Sequence, residues 1–394
     1  MLRHIGLTTA GESHGRGLLA IVRGLPAGVT VTEGAINADL ARRQVGFGRG
    51  GRMRIETDQV TIVSGVRHGL TIGSPVGLQI ANRDWDNWQD EMAAGPARDG
   101  FESARQVNVP RPGHADLAGA ARFGHSDMRN VLERASARET AARVAGGAVC
   151  RALLTALGIQ VRGHVLSIGG AAGCADPFDA DQWACIEASD VRCADETAAQ
   201  AMRQEITAAG AVGDTLGGIV AVEAEGVLPG LGSCASWDDR LDAKLAAALM
   251  SIPAIKSVEF GLGREVAERR GSAVHDPIAR GEGRWWALSR ASNNAGGIEG
   301  GMSNGERIVA RLAMKPIPTL TSPLPSVDLR TGAATEAHAE RSDVCAVPAA
   351  SIVAEAMVAL VLADAILEKL GNGCLPDVQA NFTAYCERLR RIVG

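Results

Sequence analysis

Apolar residues come in short runs parted by glycine-rich turns at the start of this chain, and in longer helical stretches further on. The run Leu18 to Val22 predicts a strand, and Gly24-Leu25-Pro26-Ala27-Gly28 the turn that follows it. Thr32 stands where an N-cap belongs, ahead of a helix reaching about Arg43, and Glu33 in its first turn meets the positive end of the helix dipole. Residues 59–64 and 76–80 read as further strands. Thr140 to Leu157 predicts a helix closed by Gly158. Residues 160–240 mix strands with connections rich in Ala, Asp and Cys; a helix follows over 238–250, and a long one from about 350 to 370 closes the chain. Its most apolar part, Ile352 to Leu370, is interrupted by Glu355, Asp364 and Glu368. That interruption predicts an amphipathic helix on a core rather than a membrane span.

The pattern repeats faintly. Gly17 to Arg43 reads strand, Leu-Pro turn, acidic cap, helix, and Gly217 to Leu249 gives the same order. Ser64-Gly65-Val66 and Gly73-Ser74-Pro75-Val76 follow the first helix; Phe260-Gly261-Leu262-Gly263 and Gly271-Ser272-Ala273-Val274 follow the second. Duplicated halves sharing one core fit this arrangement, and no Pro/Ser-rich linker divides them. The expectation is a single domain over residues 1–394. Short strands and uneven helix spacing favour an α+β fold over a doubly wound parallel sheet.

Composition narrows the function. The net charge of -5 and an aromatic content of 3% speak against a nucleic-acid binder, which needs basic surface and rings to stack on bases. The eight cysteines form no CxxC pair, so neither a zinc site nor a disulfide scaffold is indicated and no metal is expected. Met1-Leu2-Arg3-His4 leads into mixed residues rather than an apolar signal core, which implies a cytoplasmic protein. Glycine is abundant, at 48 residues, while only Lys244, Lys256, Lys315 and Lys369 are lysines.

Several segments carry chemistry. Gly11-Glu12-Ser13-His14-Gly15 leaves an imidazole uncrowded between glycines, and a histidine can donate or accept a proton near neutral pH. Arg42, Arg43, Arg49, Arg52 and Arg54 stand in a stretch without an acid, among Gly46, Gly48, Gly50 and Gly51. Their guanidinium forks suit carboxylates and phosphates. This loop formally fits GxGxxG but follows a helix, so it is not a dinucleotide turn. Arg111-Pro112-Gly113-His114-Ala115-Asp116 again sets a histidine behind a glycine, and Leu132 to Thr140 enters the predicted helix, where free N–H groups favour an anion. Gly213-Asp214-Thr215-Leu216-Gly217-Gly218, the glycine-rich 293–301 segment, Lys315-Pro316-Ile317-Pro318-Thr319 and Glu340 to Pro348 complete the series. Taken singly, each reads as a turn, a cap or a solvated loop; together they describe a site for a small polyanion.

In this order the motifs GESHG, RRQ-x-G-x-GR, RPGHAD, RNVLERASARET, GDT-x-GG, NNAGGI-x-GG, MKPI-x-T and ERSD-x-CAVPAAS resemble the chorismate synthase family, from residue 2 to about residue 365. The resemblance implies a β-α-β sandwich, a homotetramer, and anti-1,4-elimination of phosphate from 5-enolpyruvylshikimate 3-phosphate with reduced FMN. By position it implies His14 beside flavin N1, His114 protonating the departing phosphate, and Asp343 assisting flavin N5 at the C6 hydrogen, with Ser13 and Ser136 as hydrogen-bond partners. Substrate anions would meet Arg43, Arg49, Arg52, Arg111, Arg138 and Arg341. Flavin would meet Arg134, Ala135, Ser136, Pro253, Ala254, Gly300, the segment Lys315, Pro316, Ile317, Pro318 and Thr319, and Arg341. Arg43 and Arg49 are also positions the family associates with NADP, so NADPH enters as an indirect reductant. A flavin oxidoreductase consuming NADPH stoichiometrically is the competing reading. Ser257 and Arg264 depart from the family, which commonly has Gly and an aromatic there.

Overall fold

The computed structural model describes residues 2–49, 57–173, 179–338 and 342–392. The predicted first strand forms as β2 (Gly17–Arg23), paired with β1 (Gly6–Ala10). Leu18, Ala20 and Val22 are buried while Leu19 and Ile21 are exposed, the alternation of a sheet covered on one face. Helix α1 (Glu33–Gln44) follows, its first turn closed by the Thr32 hydroxyl accepting from the Ala35 N–H at 3.2 Å. Strands β3 (Val60–Ser64) and β4 (Val76–Ala81) complete an antiparallel sheet of order β1-β2-β4-β3. Two short helices, α2 (Asp116–Phe123) and α3 (Arg129–Ala135), precede the long α4 (Thr140–Ala156).

The second half repeats this plan. Strands β5 (Gln160–Ile168), β6 (Gly218–Glu225), β7 (Ile255–Phe260) and β8 (Ile308–Met314) pair antiparallel in the order β5-β6-β8-β7, with a two-residue extension beyond β5. Between β5 and β6 lie α5 (Ala180–Ala188) and α6 (Glu196–Ala211); α7 (Leu241–Met250) precedes β7, and α8 (Val347–Leu370) follows β8. Thus α7 answers α1 and α8 answers α4. A bulge interrupts the outer pair in both sheets, between Ile62 and Ser64 and between Ile255 and Ser257.

Helix α4 packs on the first sheet and against α8, which packs on the second, so helices lie between two sheets around a continuous core. Close approach requires small residues. A Cβ on Gly147 of α4 would stand 2.4 Å from the Ala356 methyl of α8, and one on Gly163 of β5 would stand 2.7 Å from the Ser351 carbonyl. These glycines are retained despite their cost inside regular structure.

Several elements differ from the sequence reading, α5 among them, a helix where a connection was expected. Residues 196–211 form a full helix rather than a connection: Asp195 caps it, alanine favours it, and Ala199, Met202 and Ile206 give it a narrow buried stripe. Helix α9 (Leu375–Arg390) follows α8, so α8 does not close the chain. Nor is α8 amphipathic. All of it but Glu368 and Lys369 is buried, so although it is long and apolar enough to cross a membrane, its apolar length runs through the interior of the fold. Its buried acids are held by hydrogen bonds, although Asp364 Oδ2 is left without a partner. Asp364 Oδ1 accepts from the N–H groups of Arg3, His4 and Ile5 at 2.7–2.9 Å, while Glu355 takes two hydrogen bonds from Arg42, both 2.8 Å.

Candidate active site

A cleft of about 460 Å³ opens where equivalent parts of the two halves meet. It is lined by the end of α1, the entry to α4, the segment after α7, the segment after β8 and the entry to α8.

The GESHG motif is the turn between β1 and β2. Gly11 has φ +108, and a Cβ there would fall 2.3 Å from the Gly17 carbonyl. The Asn82 amide donates to the carbonyls of Glu12, Ser13 and Gly15 at 3.1, 3.3 and 2.8 Å, which fixes the turn. Glu133 of α3 accepts from the His14 backbone N–H and from its ring Nδ1, both at 2.8 Å. An ionised carboxylate only accepts, so Nδ1 carries the proton and Nε2 is left for the cleft. Trp88 stacks on the imidazole, 3.7 Å between ring centres and 17° from parallel. Ser13 is buried beside it and lines the cleft.

His114 is held in the same manner. Its Nδ1 lies 2.5 Å from Oδ1 of Asp116, a fully buried carboxylate that also accepts from Arg111 through the backbone N–H at 3.1 Å and Nε at 2.9 Å. Burial alone would raise the Asp116 carboxyl, but hydrogen bonds from His114 and Arg111 outweigh it and hold it well below the usual range. Arg111 also donates to the Thr319 hydroxyl at 2.9 Å. The RPGHAD motif is therefore one unit: its aspartate orients both its arginine and its histidine.

Arg43, Arg49 and Arg138 form a cationic wall. Arg49 donates to Asp343 at 2.7 Å and to the Arg43 carbonyl at 3.0 Å. Arg43 and Arg138 both donate to Asp58, and Arg138 Nε donates to Asn82 at 3.0 Å. Burial pulls the Arg43 guanidinium below its ordinary value, as do the neighbouring charges of Arg49 and Arg138, while Asp58 opposes the fall. Nε of Arg43 and Nε of Arg49 are buried without a hydrogen-bond partner. With Arg111 and Lys315, five cations and one carboxylate, Asp343, line the cleft among the described residues.

The rest of the lining is largely apolar: Leu132, Ile252, Pro253, Met314, Ile317, Pro318 and Val353, with Ala135, Ala254, Ala346, Ala349 and Ala350. Ala254 adopts φ +69, left-handed for a non-glycine residue, and its carbonyl accepts from the Lys315 N–H at 2.9 Å. Gly217 of GDT-L-GG presses on the Met314 carbonyl, 2.2 Å from an added Cβ, and Thr215 donates to the Ile317 carbonyl at 2.7 Å. The Lys315 ammonium donates to the Gly113 carbonyl, joining this segment to the His114 loop.

Of the residues expected in the site, Ser13, His14, Arg43, Arg49, Arg111, His114, Ala135, Ser136, Arg138, Pro253, Ala254, Lys315, Ile317, Pro318, Thr319 and Asp343 line this cleft. Arg134, Pro316 and Gly300 are not in the lining. Arg134 instead holds Thr9 and Gly11, and Gly300 turns a small hairpin between Ile298–Glu299 and Met302–Ser303. Arg52 and Arg341 lie outside the described residues. Neither Ser257, at the β7 bulge, nor the exposed Arg264 lines the cleft. The sequence reading passed over Asp58, Asn82 and Trp88 and gave Glu133 no role. One signal pointed to them: Trp85 and Trp88 cluster in a chain with only six tryptophans.

A sequence profile described as chorismate synthase matches residues 5–367. The chain is 54% identical to the chorismate synthase of Pelobacter propionicus over 399 aligned residues and 56% identical to that of Moorella thermoacetica over 398, with full coverage on both sides each time. A crystal structure of chorismate synthase, 41% identical, matches it with a TM-score of 0.78 over 99% of each chain. With sequence, fold and cleft in agreement along its length, the chain belongs to the chorismate synthase family.

Proposed function

We propose that this cleft binds 5-enolpyruvylshikimate 3-phosphate and, with reduced FMN, eliminates its phosphate by an anti-1,4 route to give chorismate, the last common step of aromatic amino-acid biosynthesis. The reaction makes the chain a carbon–oxygen lyase. One observation carries the reading: two imidazoles, each with Nδ1 tied to a buried carboxylate, line one cleft with Arg43, Arg49, Arg111, Arg138 and Lys315. The substrate bears one phosphate and two carboxylates, which guanidinium forks recognise bidentately.

The residues present fit a flavin. A broad apolar wall set against cations suits a planar ring system with an anionic tail, and Ala135, Ser136, Pro253, Ala254 and the 315–319 segment would hold it. By family resemblance Arg134, Gly300 and Arg341 join them. When bound, reduced FMN supplies electron density as phosphate leaves and recovers it afterwards, so no net oxidation occurs.

The chain's own residues do the rest. Asp116 keeps a proton on His114 Nδ1, and the cationic form of the ring donates from Nε2 to the departing phosphate, a contribution of about 10² to 10⁴ in rate. Glu133 and Trp88 hold His14 in one orientation at the cleft. Asp343, paired with Arg49, is the carboxylate that supports removal of the C6 hydrogen, and Ser13 and Ser136 supply hydroxyls nearby. Reduced flavin comes from an outside source, with NADPH acting only indirectly. The protein works in the cytoplasm as a homotetramer; Leu19, Ile21 and Val63, exposed on the first sheet, are side chains that self-association would cover.

The test is an anaerobic assay with dithionite-reduced FMN. Phosphate and chorismate should appear in equal amounts over many turnovers with the flavin still reduced. Oxidation of one reduced flavin or one NADPH per phosphate would favour the oxidoreductase reading instead.

A further inference from the structure

We propose that Asp58 is a positioning residue for this reaction, the carboxylate that fixes Arg43 and Arg138 as one pre-arranged anion receptor. The proposal rests on the preceding reading of the cleft, and it assigns a role to a residue that contributes nothing to the cleft lining itself.

Asp58 is fully buried and divides its two oxygens between two elements. Oδ2 accepts from Arg43 of α1 at 2.8 Å, and Oδ1 accepts from Arg138, at the entry to α4. Its own backbone N–H donates to the Gln44 side chain at 3.1 Å, which ties it to the end of α1. Arg138 passes the constraint on through Nε to Asn82, the residue whose amide grips the His14 turn. In the other direction, the Arg43 carbonyl accepts from Arg49, which holds Asp343. Asp58 is thus the centre of an unbroken chain of hydrogen bonds from the His14 turn to Asp343.

Charge argues that this is more than a stabilising pair. A carboxylate present for stability alone is expected to match its partner in charge, because buried ions are costly to desolvate. Here one carboxylate serves two buried guanidiniums, and Arg49 stands close by. Without Asp58 the like charges of Arg43 and Arg138 would drive the side chains apart. With it, their spacing is set by the two oxygens of one carboxylate, and excess positive charge remains for an arriving anion. Such a receptor needs no rearrangement on binding, which is where pre-organisation raises affinity.

The experiment compares Asp58→Asn, Arg43→Gln and the double variant under anaerobic turnover. Asp58→Asn should raise the substrate KM about tenfold, as expected for a loosened charged contact, with kcat within about threefold. In the Arg43→Gln background the same change should move KM less than about twofold, because the two residues act as a unit. A fall in kcat at unchanged KM would mean that Asp58 only maintains the fold, and independent effects that multiply would also overturn the proposal. Should Asp58→Asn not fold, Asp58→Glu keeps the charge but displaces it, and must show the same KM shift and the same loss of effect beside Arg43→Gln. Inorganic phosphate binding, measured by calorimetry on these proteins, separates the two readings. A weaker phosphate affinity in the Asp58 variant supports the receptor even if the wild type fails to turn over this substrate, and an unchanged affinity contradicts it.

Discussion

The two halves share a plan but not a chemistry. Both carry a four-stranded antiparallel sheet of the same order, a helix after the second strand and a long helix after the fourth. Helix α1 ends in Arg42 and Arg43, whereas α7 runs out into Ile252, Pro253 and Ala254. The entry to α4 presents Ser136, Arg138 and Thr140; the entry to α8 presents Ala346, Ala349, Ala350 and Val353, with Asp343 as its charged group. The cleft lies where these counterparts meet. The first half supplies four of the five cations, Arg43, Arg49, Arg111 and Arg138, and the second half, Lys315 and Asp343 apart, supplies most of the apolar lining, both aimed at the same space. Duplication thus provides two symmetric sets of helix ends, and side-chain divergence makes them complementary.

The largest expected effect comes from the first half. His114→Ala should lower kcat by about 10² to 10⁴, with the thermal unfolding midpoint preserved. Near-normal turnover would take the residue out of the proton transfer. Next is Arg49→Ala, which should weaken substrate binding by about 2–5 kcal/mol, since it takes a guanidinium out of the cleft together with its 2.7 Å hydrogen bond to Asp343. The matched control is Arg3→Ala, on the surface beside Asp238 and Asp239, where such pairs are worth about 1 kcal/mol or less. Equal Michaelis constants in the two variants would erase the distinction between the cleft wall and any basic surface.

A smaller effect follows from Asp116. Its folded pKa lies below the ordinary carboxyl value near about 3.9, so its contribution to stability is full above that pH and lost as pH falls toward the lowered value. Asp116→Asn should therefore flatten the acid limb of stability against pH below about 4, followed by denaturant unfolding at each pH. An acid limb identical to the wild type would mean that the carboxylate gains nothing from His114 and Arg111.

Much of this was legible in the sequence. Thr32 marked a real cap, Gly158 a real helix end, and the repeat of strand, turn, cap and helix foretold the duplicated sheets. The glycine-flanked histidines did converge on one cleft with Arg43 and Arg49 of the arginine stretch, whereas Arg42 turns to Glu187 and Glu355, and Arg52 and Arg54 lie outside the described residues. What stayed hidden depends on distance in space. Asp58, Asn82 and Glu133 act by reaching residues far away along the chain, and no local pattern encodes such a contact. Helix α6 was missed because a stripe of only Ala199, Met202 and Ile206 gives a weak periodic signal. The full burial of α8 depends on the second sheet packing behind it, which its interrupting acids did not reveal.

The division of labour between the halves can be read in a single steady-state experiment that measures KM for substrate and for reduced FMN in Arg49→Gln and in Ile317→Ala. The account predicts that Arg49→Gln, in the cationic half, raises chiefly the substrate constant, and that Ile317→Ala, in the apolar wall, raises chiefly the flavin constant. Both variants raising both constants in the same proportion would contradict it.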